Sequence, residues 1–170
     1  MERRLALKNL SAAFGGLITL PAWANNWTPE SLGISNSISA NDSSLLAEIV
    51  ETIIPETKTP GAKSLKVHQF TMRMIDDCFG EKAQNLMQQG FINTNAIAQK
   101  LYNKHFEACD KTQKMNAIIQ LRDSDENSKQ FTTLVKRLTI QGYTNSEYYM
   151  THVLKYTMAP GFYHGCVPIS

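Results

Sequence analysis

Apolar side chains recur every three or four residues in several parts of the chain, and this spacing predicts amphipathic helices. The clearest stretch follows Asn41, Asp42 or Ser43, each of which can cap the N-terminus of a helix. Its apolar stripe consists of Leu45, Leu46, Ile49, Val50, Ile53 and Ile54. Pro55 is expected to end this helix, because the residue before a proline disfavours helical backbone angles.

The two stretches that follow are also predicted to be helical. The first covers 67–80, with Gly80 as its stop. Its apolar side consists of Val67, Phe70, Met74, Ile75 and Cys78. Residues 81–110 have a mostly helical pattern that is interrupted at Gly90, which predicts either two short helices or one broken helix.

The second half of the chain continues the helical pattern. Asp110 can cap a helix over 111–123, and a polar turn, "SDENS", is expected to separate it from a buried helix over 129–143. Asn145 is then expected to cap a last helix, "SEYYMTHVLKY". The remaining "TMAPGFYHGCVPIS" holds two prolines and two glycines, so it cannot form a regular helix.

These patterns together predict an all-α protein. No stretch alternates with a period of two for long enough to predict a strand, and there is no internal repeat. We therefore expect a compact bundle of about six helices within a single helical domain over 42–170. An extended arm over 25–41 precedes this domain, and an irregular arm forms its C-terminal end.

Residues 1–24 have the features of an export signal. A basic start is followed by a short uncharged stretch, and Ala22 and Ala24 form the small-residue pattern that signal peptidases recognise. The pair Arg3 and Arg4 favours a twin-arginine signal, and the alternative is a general secretory signal with a chance arginine pair. Either route predicts the bacterial periplasm, and the twin-arginine route carries folded cargo, often with its cofactor already inserted.

Charge and cysteine content restrict the function further. Residues 25–170 hold 14 basic and 14 acidic residues, a balance that does not suggest a nucleic-acid surface. Cys78, Cys109 and Cys166 form an odd set, so an exported chain would have a free thiol or an intermolecular bond. Any internal pair is open at this point: one hypothesis joins Cys78 to Cys109 and leaves Cys166 for a partner subunit, and another leaves both as buried thiols.

The sequence shows no catalytic machinery. It has no G-x-G-x-x-G fingerprint for a dinucleotide, no C-x-x-C-H haem attachment and no zinc or iron–sulfur spacing. His105 and Cys109 are four apart and could share a helix face around a metal, although such a lone pair is more often incidental. Ser146 and Glu147 fit the first turn of a helix better than a nucleophile. We assign no catalytic, cofactor-binding or metal-binding residue to this chain.

Three segments, "ETIIPETKTPGAKSLKV", "LTIQGYTNSEYY" and "LKYTMAPGFYHGCVP", carry a family resemblance. The matching residues of the first are Glu51, Ile54, Pro55, Thr57, Thr59, Pro60, Gly61 and Ala62. Those of the second are Gly142, Tyr143, Ser146 and Glu147. Those of the third are Pro160, Gly161, Tyr163, Gly165 and Cys166. In this order, behind a twin-arginine-like signal, the segments resemble the gluconate 2-dehydrogenase subunit 3 family.

The resemblance implies a non-catalytic small subunit of a periplasmic dehydrogenase complex that oxidises sugars, sugar acids or polyols. Its large subunit is an FAD-dependent enzyme, and a membrane-bound multihaem cytochrome c often accepts the electrons. The small subunit supplies the signal for the twin-arginine translocase and helps the large subunit to fold or to stay soluble. It would then be a periplasmic export escort, chaperone and stabiliser, associated with the membrane through the complex.

The same segments supply the candidate partner-binding residues. Pro55 and Pro60 either only end one helix and orient the next, or make a rigid docking loop. The C-terminal arm is either a clasp over the chain's own core or an arm laid across a partner. The candidates are Pro55, Thr57, Thr59, Pro60, Gly61, Gly142, Tyr143, Pro160, Gly161, Tyr163 and Cys166. The alternative function is a free-standing periplasmic helical protein that binds a ligand or a metal.

Overall fold

The computed structural model describes residues 40–156, which form five α-helices and two shorter helical turns. A 3₁₀ turn lies between the third and fourth helices, and a π-helical turn follows the fifth. The α-helices are α1 Ala40–Ile53, α2 Val67–Cys78, α3 Glu81–Tyr102, α4 Lys111–Ser124 and α5 Glu126–Thr144. The turns are Phe106–Ala108 and Tyr149–Val153. No strand occurs within 40–156, and the all-α bundle of about six helices is confirmed.

The hydrophobic core is organised around α5, which packs against each of the other four helices. Its inward positions recur at helical spacing and are almost completely shielded from solvent. The largest fully buried side chains of the core are Phe106, Phe131, Leu46, Ile49, Ile75, Met87, Leu121 and Leu138. Every α-helix and the 3₁₀ turn contribute at least one of them, so the described residues share one core.

Helix α3 runs unbroken through Gly90, so the predicted interruption was wrong. A Cβ atom at Gly90 would lie 2.1 Å from Cδ2 of Phe131, which shows that the glycine makes room for the ring. The rings of Phe91 and Phe131 then meet edge to face, with centroids 5.9 Å apart. The glycine therefore serves a close approach of α3 to α5.

The predicted helix starts around α4 are confirmed in one case and wrong in another. Asp110 caps α4 in a capping box, in which its carboxylate accepts from the Gln113 N–H at 2.8 Å. The predicted "SDENS" turn is absent, because only Asp125 separates α4 from α5. Hydrogen bonds from Ser128 and Ser124 to the Asp125 carboxylate hold its pKa below the usual range. Asp125 therefore ends one helix and caps the next.

The two ends of the described segment also differ from the sequence expectation. Helix α1 begins at Ala40, so the end of the arm predicted over 25–41 is helical. Asn145 does not cap a new helix: its N–H donates to the Gln141 carbonyl at 3.1 Å and it ends α5. The following Ser146 accepts from the Tyr149 N–H at 3.3 Å and starts the π-helical turn.

Several predicted features lie outside the described residues. These are the signal over 1–24, most of the 25–41 arm and the tail over 157–170. The site candidates among them are Arg3, Arg4, Ala22, Ala24, Pro160, Gly161, Tyr163 and Cys166. Within the described residues, no helix combines the length and apolarity needed to cross a membrane.

Replacing Gly90 by Ala overpacks the buried Phe131 ring, which should cost about 2–3 kcal/mol and leave a net destabilisation of about 1–2 kcal/mol. This cost should exceed the gain of roughly 1 kcal/mol that alanine brings to a helix interior. Urea unfolding followed by circular dichroism measures the difference. Gly80→Ala is the control, since no heavy atom lies within 4 Å of its added Cβ. A Gly90→Ala protein as stable as the wild type would contradict the packing argument.

Candidate functional site

Two of the three segments that carry the family resemblance meet in the structure. The connection 54–66 between α1 and α2, here called the hook, reaches the C-terminal end of α5. The Tyr143 hydroxyl donates to the Pro60 carbonyl at 3.0 Å, across 83 positions of sequence. The hook is therefore fixed to the bundle at a point far along the chain.

The carboxylate of Glu51 holds the hook closed from inside. One of its oxygens accepts from the Glu56 N–H at 2.7 Å, and the other accepts from the Lys63 N–H at 3.0 Å. Hydrogen bonds to an ionised acceptor are stronger than those between neutral groups. The last full turn of α1 thereby ties together both sides of the loop that follows it.

The space for this carboxylate depends on Gly61. A Cβ atom there would lie 2.4 and 2.5 Å from the two Glu51 oxygens and 2.7 Å from the Glu56 nitrogen. The adjacent Ala62 is fully buried, and its N–H donates to the Ile54 carbonyl at 3.0 Å. Any side chain at Gly61 would displace the Glu51 carboxylate from the backbone that it organises.

Gly142 plays a comparable part where α2 crosses the end of α5. A Cβ atom at Gly142 would lie 2.6 Å from Cδ1 of Phe70 and 3.0 Å from Cγ1 of Val67. The next residue, Tyr143, is half-buried and meets the ring of Tyr149 at an angle, with centroids 6.0 Å apart. Close packing at Gly142 thus places Tyr143 between the hook and the π-helical turn.

The tip of the hook, residues 55–59, is exposed to solvent. Its own backbone is constrained, since the Thr57 N–H donates to the Thr59 carbonyl at 3.0 Å. Behind the tip, the Ser64 hydroxyl donates to the Glu56 carboxylate. The tip therefore exposes Thr57, Thr59 and the charged Lys58 on a backbone that hydrogen bonds constrain.

The structure therefore divides the predicted partner-binding residues into two groups. Gly61, Gly142 and Tyr143 have internal packing and hydrogen-bonding roles. The exposed candidates within the described residues are Pro55, Thr57 and Thr59. Pro60 lies between the groups, because it is only partly exposed and its carbonyl is bonded to Tyr143.

A cluster of three charges joins the hook to α1 and α4, and the sequence analysis missed it. The Glu48 carboxylate lies 2.5 Å from the Lys63 ammonium and 2.7 Å from that of Lys114. Partial burial acts to raise the pKa of Glu48, but hydrogen bonds from Lys114 and Lys63 outweigh it and lower the pKa. The hydrogen bond that the Lys63 ammonium donates to Glu48 raises the pKa of Lys63. The three residues are far apart in sequence and show no motif, so no local signal identifies them.

The surroundings of His68, next to the hook at the start of α2, favour its uncharged form. Burial lowers its pKa, and the positive charges of Lys63 and Lys66 lower it further. Its Nδ1 atom is buried without a hydrogen-bond partner. A neutral imidazole here avoids a third positive charge beside the two lysines.

The metal hypothesis finds no support in the geometry. His105 and Cys109 do not share an α-helix, because they flank the 3₁₀ turn Phe106–Ala108. The Cys109 thiol lies 3.5 Å from the His105 backbone carbonyl, as a donor to it. No group of three His, Cys, Asp or Glu residues within 40–156 could hold a metal ion.

The hypothesis that joins Cys78 to Cys109 is also not met. Both are free thiols, and Cys109 is buried whereas Cys78 is exposed. The apolar side predicted for α2 is thus correct for Val67 and Ile75 but wrong for Cys78. The proposed bond from Cys166 to a partner stays a prediction.

The charge cluster makes stability depend on pH. Because folding lowers the Glu48 pKa from its usual 4.5, its stabilisation is complete above about pH 4.5 and is lost as the pH falls through the lowered folded value. Glu48→Gln should lower the free energy of unfolding at pH 7 by about 1 kcal/mol, a value discounted for solvent screening. It should also flatten the fall in stability below pH 4.5. Urea unfolding across this pH range measures both effects.

The control for this prediction is Glu147→Gln, which changes an exposed carboxylate. It should shift stability by no more than about 0.5 kcal/mol. If Glu48→Gln and Glu147→Gln unfold identically at every pH, the cluster contributes nothing to stability.

Comparison with known proteins identifies the family. No curated protein and no solved structure matches the chain. The family model described as Gluconate 2-dehydrogenase subunit 3 matches residues 40–161, which is more than half of the chain and includes the hook and its anchor on α5. The chain belongs to the gluconate 2-dehydrogenase subunit 3 family.

Proposed function

We propose that this chain is the non-catalytic small subunit of a periplasmic FAD-dependent dehydrogenase complex that oxidises gluconate or a related sugar or polyol. It acts as the export escort, chaperone and stabiliser of the flavoprotein large subunit. The observation that carries the proposal is the hook: its base is locked to the bundle by Glu51 and Tyr143, and its tip is exposed. Membership of a family of dehydrogenase subunits supplies the class of partner.

The hook has the physical properties of a preformed docking element. A loop that is already ordered loses less conformational entropy on binding than a flexible one. The exposed Pro55 restricts the loop further, and Glu51 fixes both of its sides. At the tip, Thr57 and Thr59 offer hydroxyls and Lys58 a positive charge to a partner surface. The entropy cost of ordering the loop therefore reduces the binding free energy less than it would for a flexible loop.

Catalysis belongs to the partner subunit in this proposal. The sequence lacks the fingerprints that FAD and haem c require, so FAD is placed on the large subunit and haem c on a cytochrome subunit. The multihaem cytochrome would hold the complex at the membrane. The balanced charge of residues 25–170 fits a protein partner and not a nucleic acid.

The twin-arginine signal completes the proposal. A translocase that carries folded proteins allows the large subunit to bind its FAD before export and to cross together with this chain. Arg3 and Arg4 then serve both subunits. The escort role requires that the two subunits bind each other before export.

Changing the hook tip should weaken capture of the flavoprotein without unfolding the subunit. The variant Thr57→Ala with Lys58→Glu alters only exposed side chains. We expect about a tenfold loss in affinity, the effect of removing one good contact. The measurement is a co-purification from the native bacterium, with the flavin spectrum and dye-linked dehydrogenase activity recorded per tagged chain.

The matched control is Thr133→Ala with Lys136→Glu, exposed positions two to three helical turns before Tyr143. It should recover flavin as the wild type does. If the tagged wild-type chain purifies as a colourless monomer without any flavoprotein, the proposed function fails. If both double variants behave alike, the hook tip is not the contact.

Export should depend on the arginine pair. Replacing Arg3 and Arg4 by Lys keeps the charge but removes the pattern that the twin-arginine route recognises. We expect both the chain and the flavoprotein to disappear from the periplasm and to remain together in the cytoplasm. Immunoblots of the two fractions, with dehydrogenase activity, measure this. Continued export of an active flavoprotein would contradict the escort role.

A further inference from the structure

Two polar side-chain atoms on α2 are buried and have no hydrogen-bond partner. They are Nδ1 of His68 and Oγ1 of Thr71, and no other side-chain atom of residues 40–156 shares this condition. Thr71 is fully shielded from solvent on the core side of the helix, and His68 is partly buried one turn before it. A buried polar atom that makes no hydrogen bond costs free energy, so a native structure seldom leaves one unpaired.

The Thr71 hydroxyl does not bond in the way that is usual for a buried threonine in a helix. Thr94 and Thr139 are also buried, and each hydroxyl donates to the backbone carbonyl four residues earlier, at 2.6 Å from Thr94 and 2.7 Å from Thr139. The corresponding carbonyl for Thr71 is that of Val67, in the same helix, and the bond is not made. The Thr71 hydroxyl is therefore available to a group other than its own backbone.

The two unpartnered atoms belong to neighbouring side chains. His68 and Thr71 are three positions apart on one helix, which places their Cβ atoms roughly 5–6 Å apart. Their side chains do not bond to each other directly, since neither atom has a partner. One water molecule that makes two hydrogen bonds of about 2.8 Å each bridges groups at such a separation. A larger ligand would have to displace core side chains, because Thr71 is fully buried.

His68 supplies a suitable acceptor for a bridging water. Burial and the positive charges of Lys63 and Lys66 lower the pKa of His68, so its imidazole is mostly neutral at pH 7. In a neutral ring with its proton on Nε2, the Nδ1 atom accepts hydrogen bonds. A water molecule that donates to Nδ1 and accepts from the Thr71 hydroxyl satisfies both atoms.

We propose that α2 holds one internal water molecule between Nδ1 of His68 and Oγ1 of Thr71. Buried waters typically make about two to four hydrogen bonds to polar groups that are otherwise unpaired, and they are an integral part of the fold. This water would link the first two turns of α2, the helix that directly follows the hook. The site does not depend on the proposed function, because it lies within one chain.

A crystal structure of the purified protein, at a resolution that shows ordered water, tests the site directly. We expect a density peak within about 3.2 Å of both Nδ1 of His68 and Oγ1 of Thr71. The contrary result is a Thr71 hydroxyl that donates to the Val67 carbonyl, as the hydroxyls of Thr94 and Thr139 do to theirs, with no peak beside Nδ1.

Nitrogen NMR of the His68 ring tests the bridge in solution. Two-bond ¹H–¹⁵N spectra in mildly alkaline buffer should show the ring proton on Nε2. Thr71→Val removes the hydroxyl that holds the water and should shift the Nδ1 resonance, whereas Thr71→Ser keeps a hydroxyl and should retain the wild-type resonance. Thr139→Val is the matched control, because it removes a buried hydroxyl that is bonded to its own backbone, and it should leave Nδ1 unchanged.

Two results would overturn the proposal. One is the contrary crystal structure, which decides alone if Thr71→Val does not fold. The other is an Nδ1 resonance that stays unchanged in Thr71→Val or that shifts equally in Thr139→Val. Both results leave flavoprotein capture untouched, so the proposed function depends on its own experiments.

Discussion

The Glu51 carboxylate is the group on which the most distinctive part of this structure depends. It accepts one backbone N–H from each side of the hook, at Glu56 and Lys63. A polar loop folded over a helix end has several backbone groups to satisfy, and an ionised carboxylate satisfies two of them strongly. The absence of a side chain at Gly61 follows from this arrangement, because a Cβ would occupy the position of the Glu51 oxygens.

At two helix crossings a glycine likewise leaves space for a neighbouring group. Gly90 admits the ring of Phe131 against α3, and Gly142 admits the ring of Phe70 against α5. Neither lies in a turn, and both sit within continuous helices. Each gives up some helix propensity so that two backbones can approach closely. Helix α5 is involved in both contacts, which allow α2 and α3 to approach it closely.

The sequence predicts much of this fold but little of how the site is assembled. Helix α1 is evident because a dense apolar stripe ends at Pro55, and Asp110 is a local capping signal. The break predicted at Gly90 was wrong because the sequence does not distinguish a glycine that ends a helix from one that makes room for a neighbouring side chain. Both segments of the site are recognisable, but their contact depends on the Tyr143–Pro60 bond, which no local pattern shows. Glu48 and its two lysines are hidden for the same reason.

The bond between Tyr143 and Pro60 also sets an order of events during synthesis. Eighty-three positions separate the two residues, so the hook emerges from the ribosome long before its anchor. Until Tyr143 has been made and α5 has packed, the loop has its local contacts, such as those of Glu51, but lacks its bond to α5. A loop anchored in this way reaches its final contacts only after Tyr143 has been synthesised. A partner that recognises the anchored hook therefore distinguishes finished subunits from unfinished ones.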